Sequence, residues 1–521
     1  MANGNPLDPR APIPEAVALP FTGVAINFGE RAASGPADLE AARPFRSRKP
    51  LRRPKEPLPV ATAMDEAMVL NLDGVAEPEP AAPSAPLPVS PPPAVTFSGG
   101  VDTGVTIPPD TMGVVGDRFL FHPLNDDIRI QDRTGTVLSQ MSLNRFWDVF
   151  PLPMQAFDPR AAYDPFGRRY LFTSCANAES PSSSLLIAVS ETDDPGGNWI
   201  VGFLPVDRAL QGDVWIDFPS IGFTADKITV QANLYTIAGN AFAGSSIYVW
   251  DKGVFYTSPA APPVKLFVLP RQQGGPQVPA LTYDPQESTQ FLVSRWTGND
   301  PNRGAGAYFV YEITGSVSAG TVALNPIGFV HTPGTTWASF SPANFAPQLG
   351  SAEKINTGDD RMQSVVFRHG ALWFCNTVFL PAGGPTRSAA QWLEVEAGTW
   401  RIRQLGRVED PGGSRFFAFP NLAVNSDRDV LLGFSCFSAS HFASGAYALH
   451  VNGDPAGSTR APHIYAPGSN PYFKPGPDGK NRWGDYSRTQ VDPVDDRSFW
   501  TIQEHAGASP NQWATRWAQV T

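Results

Sequence analysis

Cysteine is scarce in this 521-residue sequence, which contains only Cys175, Cys375 and Cys436, each inside an apolar run. An odd and widely spaced set of three excludes a disulfide framework and a zinc site with closely spaced cysteine ligands. We therefore predict three buried thiols, of which one pair would form a bridge only if the fold brought two of them together.

Charged residues are also few, at 17% of the chain, against about 25% in ordinary globular proteins. The formal net charge of -10 lacks the excess of basic groups that a phosphate backbone requires, so nucleic acid is not an expected partner. No apolar run reaches the roughly 18 residues of a membrane-spanning helix. The N-terminus does not have the pattern of a Sec signal peptide, so we expect a cytoplasmic protein, export by another route, or a lost signal.

Proline (54) and glycine (47) are abundant, which favours short strands and many turns over long helices. Residues 1–95 have no sustained hydrophobic period, and half of residues 78–93 are proline, which imposes an extended conformation without internal hydrogen bonds. We predict a disordered, proline-rich N-terminal arm with a basic segment at residues 42–55. The arm is either a solvated linker or a tether or address that docks a partner.

The residue pattern of the sequence changes at Thr96, where short apolar runs begin to alternate with turn residues. A repeat recurs in which an apolar strand, a turn and a second apolar strand follow a small residue or proline. Its seven copies start at Pro109, Pro159, Pro219, Pro279, Arg361, Pro420 and Tyr486. We predict an all-β fold, a single β-propeller over residues 96–521 with about seven four-stranded blades, or six or eight, and a strand near residues 95–99 that completes the last blade.

One short motif is complete, because Thr192, Asp194, Gly196 and Trp199 match the Asp-box pattern of Ser/Thr, Asp, Gly and Trp at fixed offsets. The motif lies between two predicted strands, where the Asp binds turn amides, the glycine relieves the backbone and the tryptophan is buried. Asp-boxes recur in sialidases and in other propellers, and we interpret this one as structural. The sequence has no Arg-Ile-Pro, which weakens a sialidase assignment.

The ordered segments of residues 96–521 resemble those of a family of largely uncharacterised bacterial exported β-propeller proteins. The segments that carry this resemblance are PPDTMGVVG, DPRAAYDPFGRRY, AVSETDDPGGNW, DFPSIGF, DDRMQSVVFR and RWGDYSRTQVDPVDDRSFW. The resemblance implies a propeller fold and an extracellular location, and it brings no substrate or catalytic residues. The arm lies outside it.

Polar residues gather at or just before the repeat starts, and in a propeller these positions converge on one face at the mouth of the channel. The residues concerned are Asp110, Asp158, Asp217, Asp359, Asp360, Arg361, Arg482 and Asp485, with Trp215 and Trp483 beside them. The candidates for ligand binding are Asp110, Asp217, Arg361, Arg482, Trp483 and Asp485. Asp217 and Asp485 are the candidates for a Ca²⁺ or Mg²⁺ site, and no other cofactor is expected. The alternative is that these groups hold neighbouring blades together by hydrogen-bonding the backbone.

Other catalytic signatures are missing from the sequence, which has no P-loop, no HExxH and no Gly-x-Ser-x-Gly. His505 is the only histidine beside an acid, Glu504, and we expect a satisfied strand residue there rather than a base. Two functions stay open. The first is a non-enzymatic binding module that engages a glycan or a protein through the channel mouth. The second is a sialidase-like glycan hydrolase or lyase that uses channel-mouth carboxylates.

Overall fold

The computed structural model describes residues 7–34, 55–71, 87–150, 154–206, 213–257, 260–342, 344–476 and 478–521. Contacts between Cα atoms divide the chain into two compact units. Unit 1 comprises residues 1–31, 49–70 and 144–336, and unit 2 comprises residues 32–48, 71–143 and 337–521. We number the four-stranded sheets 1 to 7 along the chain.

The described residues of unit 1 contain three groups of four antiparallel strands, numbered sheets 2, 3 and 4, in which successive members of each group are hydrogen-bonded neighbours. Sheet 2 consists of Ala156–Asp164, Arg169–Ala176, Ser184–Ser190 and Asn198–Pro205. Sheet 3 consists of Val214–Phe223, Lys227–Thr236, Phe242–Asp251 and Val264–Pro270. Sheet 4 consists of Val278–Pro279, Gln290–Asp300, Ala305–Thr314 and Ala323–Thr332, and the short strand Leu281–Thr282 pairs with Phe223.

Unit 2 contains four sheets and one additional hairpin. Sheet 1 consists of Val114–Val115, Phe119–Pro123, Asp127–Asp132 and Val137–Ser142. Sheet 5 consists of Met362–Arg368, Ala371–Leu380, Arg387–Glu396 and Ile402–Val408, and sheet 6 of Arg415–Val424, Val430–Ser438, His441–His450 and His463–Ala466. Sheet 7 consists of Arg488–Val491, Phe499–Ala506, Trp513–Val520 and Val95–Val101. The additional hairpin consists of Ala346–Gln348 and Ser351–Ile355.

Helix is confined to short segments of the described chain. The α-helices are Phe28–Ser34, Leu143–Trp147 and Lys252–Thr257, and the 3₁₀ helices are Glu66–Met68 and Arg271–Gln273. The described residues contain no helix that is both long and apolar enough to cross a membrane. The seven four-stranded sheets are the blades that the repeats predict, so the prediction of an all-β propeller fold is confirmed.

Many inner strands are buried along their whole length rather than on alternate residues. Ser184–Ser190 and Ala371–Leu380 contain no exposed position. Both faces of such a strand are covered by neighbouring side chains, so its sequence is a continuous apolar run instead of an alternating one. Aromatic side chains fill the interior, since twelve of the thirteen tryptophans are fully buried. The three cysteines are buried thiols outside any disulfide, as predicted.

The prolines that mark the repeat starts follow backbone bulges in the first strands of sheets 2, 3 and 6. Asp158, Phe218 and Phe419 have positive φ angles of 54°, 53° and 54°, and each directly precedes the proline of its repeat. The pairing register with the second strand shifts at all three positions. A bulge of this kind redirects the side chains around it, so it determines which groups lie at the start of each first strand.

The strand predicted near residues 95–99 is present, and it completes sheet 7 from the other end of the repeat region. Val95–Val101 pairs antiparallel with Trp513–Val520, the last strand of the chain. The pairing covers the edge of Trp513–Val520 and ties the two ends of the repeat region together. Sheet 7 therefore contains strands from both ends of the repeat region.

The predicted arm is where the structure differs most from the sequence-based expectation. Within residues 1–95, Val17–Leu19 pairs with Val264–Pro270 as a fifth strand of sheet 3, and Val24–Asn27 pairs with Asn198–Pro205 as a fifth strand of sheet 2. These stretches are bound to sheet edges because the backbone groups of an outer strand accept any extended partner. The basic segment 42–55 lies outside the described residues except for Lys55.

Replacing Gly99 by alanine is expected to destabilise the protein by about 1–3 kcal/mol, because the new Cβ overpacks the sheet 7 closure. That atom would lie 2.6 Å from Thr515 Oγ1, 2.9 Å from His122 Cε1 and 3.0 Å from Ile502 Cδ1. Gly383→Ala is the matched control, since no atom lies within 4 Å of its Cβ position. Urea denaturation measures both variants, and equal midpoints would show that the closure tolerates a side chain.

Candidate functional site

The predicted channel-mouth residues lie at the end of the sheets where the first strands begin, which we call the strand-1 end. Asp217 belongs to unit 1, and Asp110, Arg361, Arg482, Trp483 and Asp485 belong to unit 2. The two groups are described separately below.

In unit 1, two carboxylates of the strand-1 end are used by the protein itself. Asp158 is fully buried, and its Oδ2 accepts a hydrogen bond of 3.1 Å from the backbone N–H of Phe218, at the bulge of the next sheet. Asp217 is also fully buried, and its carboxylate pairs with the ammonium of Lys55, a residue of the N-terminal arm. Both carboxylates thus hold backbone or arm in place.

In unit 2, Asp110 has the same kind of role. The residue is fully buried, with a positive φ of 49°. Its Oδ2 accepts from Asn125 Nδ2 at 2.6 Å, and its Oδ1 accepts from the backbone N–H of Asp485 at 2.9 Å. Asp360 is buried as well and accepts from the indole N–H of Trp337 at 2.8 Å. These bonds agree with the structural alternative for the polar cluster.

The two arginines of the prediction are partly exposed and paired with carboxylates. Arg361 contacts both carboxylate oxygens of Asp359 at 2.7 Å. Arg482 Nη2 lies 3.0 Å and 3.1 Å from the two oxygens of Asp485, and about a fifth of each of these two side chains is exposed. Arg482 and Asp485 are thus a charged pair that a polar ligand is able to reach.

Trp483 is buried in the interior of unit 2 rather than displayed at its surface. Its Nε1 donates to Ser435 Oγ at 3.0 Å, and its ring meets Tyr472 edge-on at a centroid distance of 5.0 Å. Only 2% of Trp483 is exposed. The ring of Trp483 therefore packs against other side chains inside unit 2.

Tyr472 and Glu504 are two buried polar residues of this region that the sequence analysis did not select as site residues. Glu504 Oε2 accepts from the backbone N–H of Gly484 at 2.8 Å, while its Oε1 and the Tyr472 hydroxyl have no hydrogen-bond partner among the described residues. Burial, together with the charges of Asp110 and Asp102, raises the pKa of Glu504 well above its ordinary value. Burial also raises the pKa of Tyr472, and the Glu504 carboxylate adds to the shift. Burial therefore favours the protonated form of the Glu504 carboxyl group.

His505 does not provide a base next to Glu504. Burial lowers the pKa of His505 to about 4, and its Nδ1 lies 3.2 Å from the carbonyl oxygen of Ala506. The ring is neutral near pH 7 and is held by backbone, as expected for a satisfied strand residue.

The described residues contain no group of three or more His, Cys, Asp or Glu side chains arranged to hold a metal ion. Asp217 and Asp485, the two candidates for a Ca²⁺ or Mg²⁺ site, are paired with Lys55 and Arg482. A cation at either carboxylate would have to compete with a protein cation already present.

The Asp-box residues form the hairpin turn that joins the third and fourth strands of sheet 2. Asp194 Oδ1 accepts from Gly196 N at 2.8 Å, and Thr192 Oγ1 accepts from Asp194 N at 3.2 Å. Trp199 is buried, and its Nε1 donates to the Pro195 carbonyl at 2.9 Å. All these contacts are local to the turn.

A concave site at the strand-1 end of sheet 2 is a further feature that the sequence analysis missed. It is a cavity of about 450 Å³ lined by Gln155, Asn177, Ala178, Glu179, Ser180, Pro181 and Ser182. Asn177 and Glu179 have positive φ angles of 55° and 52°, so the loop is held in an uncommon conformation. A second cavity, of about 600 Å³, lies in unit 2 beside His369, Ser426–Asp429 and Asn452, where first strands end.

No family model and no curated protein matches the sequence. Among solved structures, the β-propeller domain of the Trilobed protease from Pyrococcus furiosus is 10% identical with a TM-score of 0.38, covering 82% of this chain and 96% of its own. A Hadza microbial sialidase is 9% identical with a TM-score of 0.33, covering 79% and 74%. The NanB sialidase from Streptococcus pneumoniae is 10% identical with a TM-score of 0.35, covering 78% and 82%. All these TM-scores are below 0.5, so the fold assignment rests on the sheets of this chain.

Replacing Glu504 by glutamine is expected to make the protein less sensitive to rising pH. The folded protein binds the Glu504 proton more tightly than the unfolded chain does, so the wild-type protein loses stability as the pH rises above the ordinary value of 4.5. Glutamine cannot ionise and still offers an oxygen to Gly484 N–H. The stability of Glu504→Gln relative to wild type should therefore increase between roughly pH 5 and pH 8.

Urea denaturation at several pH values measures this difference, and Glu353→Gln at an exposed position is the control. Parallel pH profiles for wild type and Glu504→Gln would show that Glu504 is ionised in the folded protein.

Proposed function

We propose that this protein is a non-enzymatic binding module that engages a glycan at its strand-1 end. The observation that carries the proposal is the cavity beside sheet 2. Its lining offers the amides of Gln155 and Asn177, the carboxylate of Glu179 and the hydroxyls of Ser180 and Ser182. Groups that both donate and accept hydrogen bonds match the hydroxyls of a sugar.

The cavity is built on ordered contacts. Asn177 Oδ1 accepts from Gln155 N at 3.0 Å, and its Nδ2 donates to the Ser182 carbonyl at 3.2 Å. Glu179 Oε1 accepts from Asn240 Nδ2 at 2.7 Å, which ties the loop to sheet 3. A lining that is held in place before a ligand arrives has less conformational entropy to lose on binding.

The structural use of the buried carboxylates supports binding over hydrolysis. Asp110, Asp158 and Asp217 each hold a backbone amide or a lysine, so none of them is placed to transfer a proton to a substrate. In unit 2, the partly exposed pair of Arg482 and Asp485 offers a second polar surface for the same class of ligand. A protein ligand, an extracellular location and a tethering role of the arm stay predictions.

The double variant Gln155→Ala/Glu179→Ala is expected to bind glycans at least about tenfold more weakly, the effect of losing one to two hydrogen bonds. A glycan array identifies the ligand of the wild-type chain, and titration calorimetry measures the variants. Asp427→Ala is the matched control, because Asp427 lines the other cavity. Unchanged affinity in the double variant, or an equal loss in Asp427→Ala, contradicts a site at sheet 2.

The same titration on Arg482→Ala/Asp485→Ala tests the residues predicted from sequence. A loss there without a loss in Gln155→Ala/Glu179→Ala would place the glycan on unit 2 instead.

Glycan hydrolysis is the second candidate, and the raised pKa of Glu504, beside Tyr472, favours it. A carboxyl group with a raised pKa is the usual proton donor in glycoside cleavage. Both side chains are almost fully buried, however, so a substrate would have to reach them through the protein surface.

We expect no release of fluorophore from 4-methylumbelliferyl glycosides, including the sialoside. Release that disappears in Glu504→Gln would establish the hydrolase instead.

A further inference from the structure

Ten residues of the N-terminal region, residues 55–64, lie on unit 1 without regular secondary structure, and we call them the strap. The strap begins at Lys55, whose ammonium pairs with the buried carboxylate of Asp217. The same ammonium lies 5.4 Å from the ring centre of Tyr235 and 5.9 Å from that of Trp215. One carboxylate and two aromatic faces are the elements of a cation-binding site.

The next residue of the strap, Glu56, carries the opposite charge and pairs with Arg271. Glu56 accepts hydrogen bonds from both terminal nitrogens of Arg271, at 2.7 Å and 2.8 Å, and from the backbone N–H of Phe242 at 2.9 Å. Its own N–H donates to the Asn240 carbonyl at 2.8 Å. A two-point pair between guanidinium and carboxylate selects for the geometry of a carboxylate as well as its charge.

The third recognised side chain is aliphatic. Leu58 is 2% exposed and belongs to the hydrophobic core between sheets 2 and 3. Arg295 binds the main chain of the strap at this point, because it donates to the Pro59 carbonyl at 2.6 Å and to the Leu58 carbonyl at 3.3 Å. The strap is therefore held through its side chains and through its main chain.

The rest of the strap is bound through its backbone. Ala61 N donates to the Trp296 carbonyl at 3.1 Å, and Trp296 Nε1 donates to the Ala63 carbonyl at 3.1 Å. Met64 N donates to Asp300 Oδ2 at 2.8 Å. Main-chain bonds give affinity without sequence preference, whereas the three side-chain pockets at the other end give specificity.

The walls of this groove are fixed by contacts that do not involve the strap. Trp215 Nε1 donates to Asn240 Oδ1 at 2.9 Å, and its ring lies 5.5 Å from that of Tyr235. We propose that the groove is a peptide-binding site for an extended segment with a cationic residue, a carboxylate next to it and an aliphatic residue two positions later, and that the strap occupies it intramolecularly. A partner protein that presents this chemistry would compete with the strap. The groove and the glycan cavity are lined by different residues, although Asn240 bonds to both Glu179 and Glu56, and the groove does not depend on the proposed function.

The test uses the full chain with Lys55→Ala, Glu56→Ala and Leu58→Ala, which weakens the strap and leaves the groove intact. The probe is a fluorescent synthetic peptide of residues 55–66, and the control peptide carries the same three alanines. We expect saturable binding of the wild-type peptide to the variant, at least about tenfold tighter than to the unaltered chain, where the strap competes at high effective concentration. The peptide should also raise the Tm of the variant.

Three results would overturn the proposal. They are no binding to the variant, equal binding to the variant and the unaltered chain, and equal binding of the control peptide. Asp217→Asn, added to the variant, should abolish binding, whereas Asp226→Asn, at a half-exposed carboxylate of the same unit, should not. If the triple variant does not unfold cooperatively, Lys55→Ala alone is tested with the same peptides and the same criteria.

Discussion

A carboxylate that is removed from water must be paired or hydrogen-bonded, and this requirement governs the strand-1 ends of both units. Asp158 accepts a hydrogen bond from the backbone N–H of Phe218 at its bulge, and Asp110 accepts one from the backbone N–H of Asp485. Asp217 forms an ion pair with the ammonium group of Lys55. The bulge residues have positive φ angles, a conformation that costs of order 1–3 kcal/mol per residue unless the surroundings compensate. Among the acids that suggest a ligand site in the sequence, Asp158 therefore stabilises the Phe218 bulge, while Asp110 and Asp217 hold an amide and an ammonium group in place.

Most of the fold was accessible from sequence because it depends on local patterns. The proline after each bulge recurs at the repeat starts, and the strand near Val95 has an apolar pattern with no partner nearby in sequence. The arm strands Val17–Leu19 and Val24–Asn27 were not accessible, because three or four residues carry no periodicity. What orders them is the free edge of sheets 3 and 2, which only the folded chain provides.

The candidate site was less accessible, because its character depends on residues that are distant in sequence. Asp110 and Asp485 are 375 positions apart, and the partner of Asp217 lies 162 positions away in the arm. The raised pKa of Glu504 results from burial and from the charges of Asp110 and Asp102, so no property of its own strand predicts it. The cavity beside sheet 2 depends on two residues with positive φ in one loop, which the sequence of that loop does not indicate.

The pair of Lys55 and Asp217 holds the first residue of the strap on unit 1. A fully buried carboxylate without a cation is strongly destabilising, so Asp217 needs either a positive group or a proton. Lys55 supplies a positive group of this kind. A segment that brings a cation, a carboxylate and an aliphatic side chain in this order makes the same contacts with unit 1. The strap meets this condition because Lys55 pairs with Asp217, Glu56 pairs with Arg271, and Leu58 packs in the hydrophobic core between sheets 2 and 3.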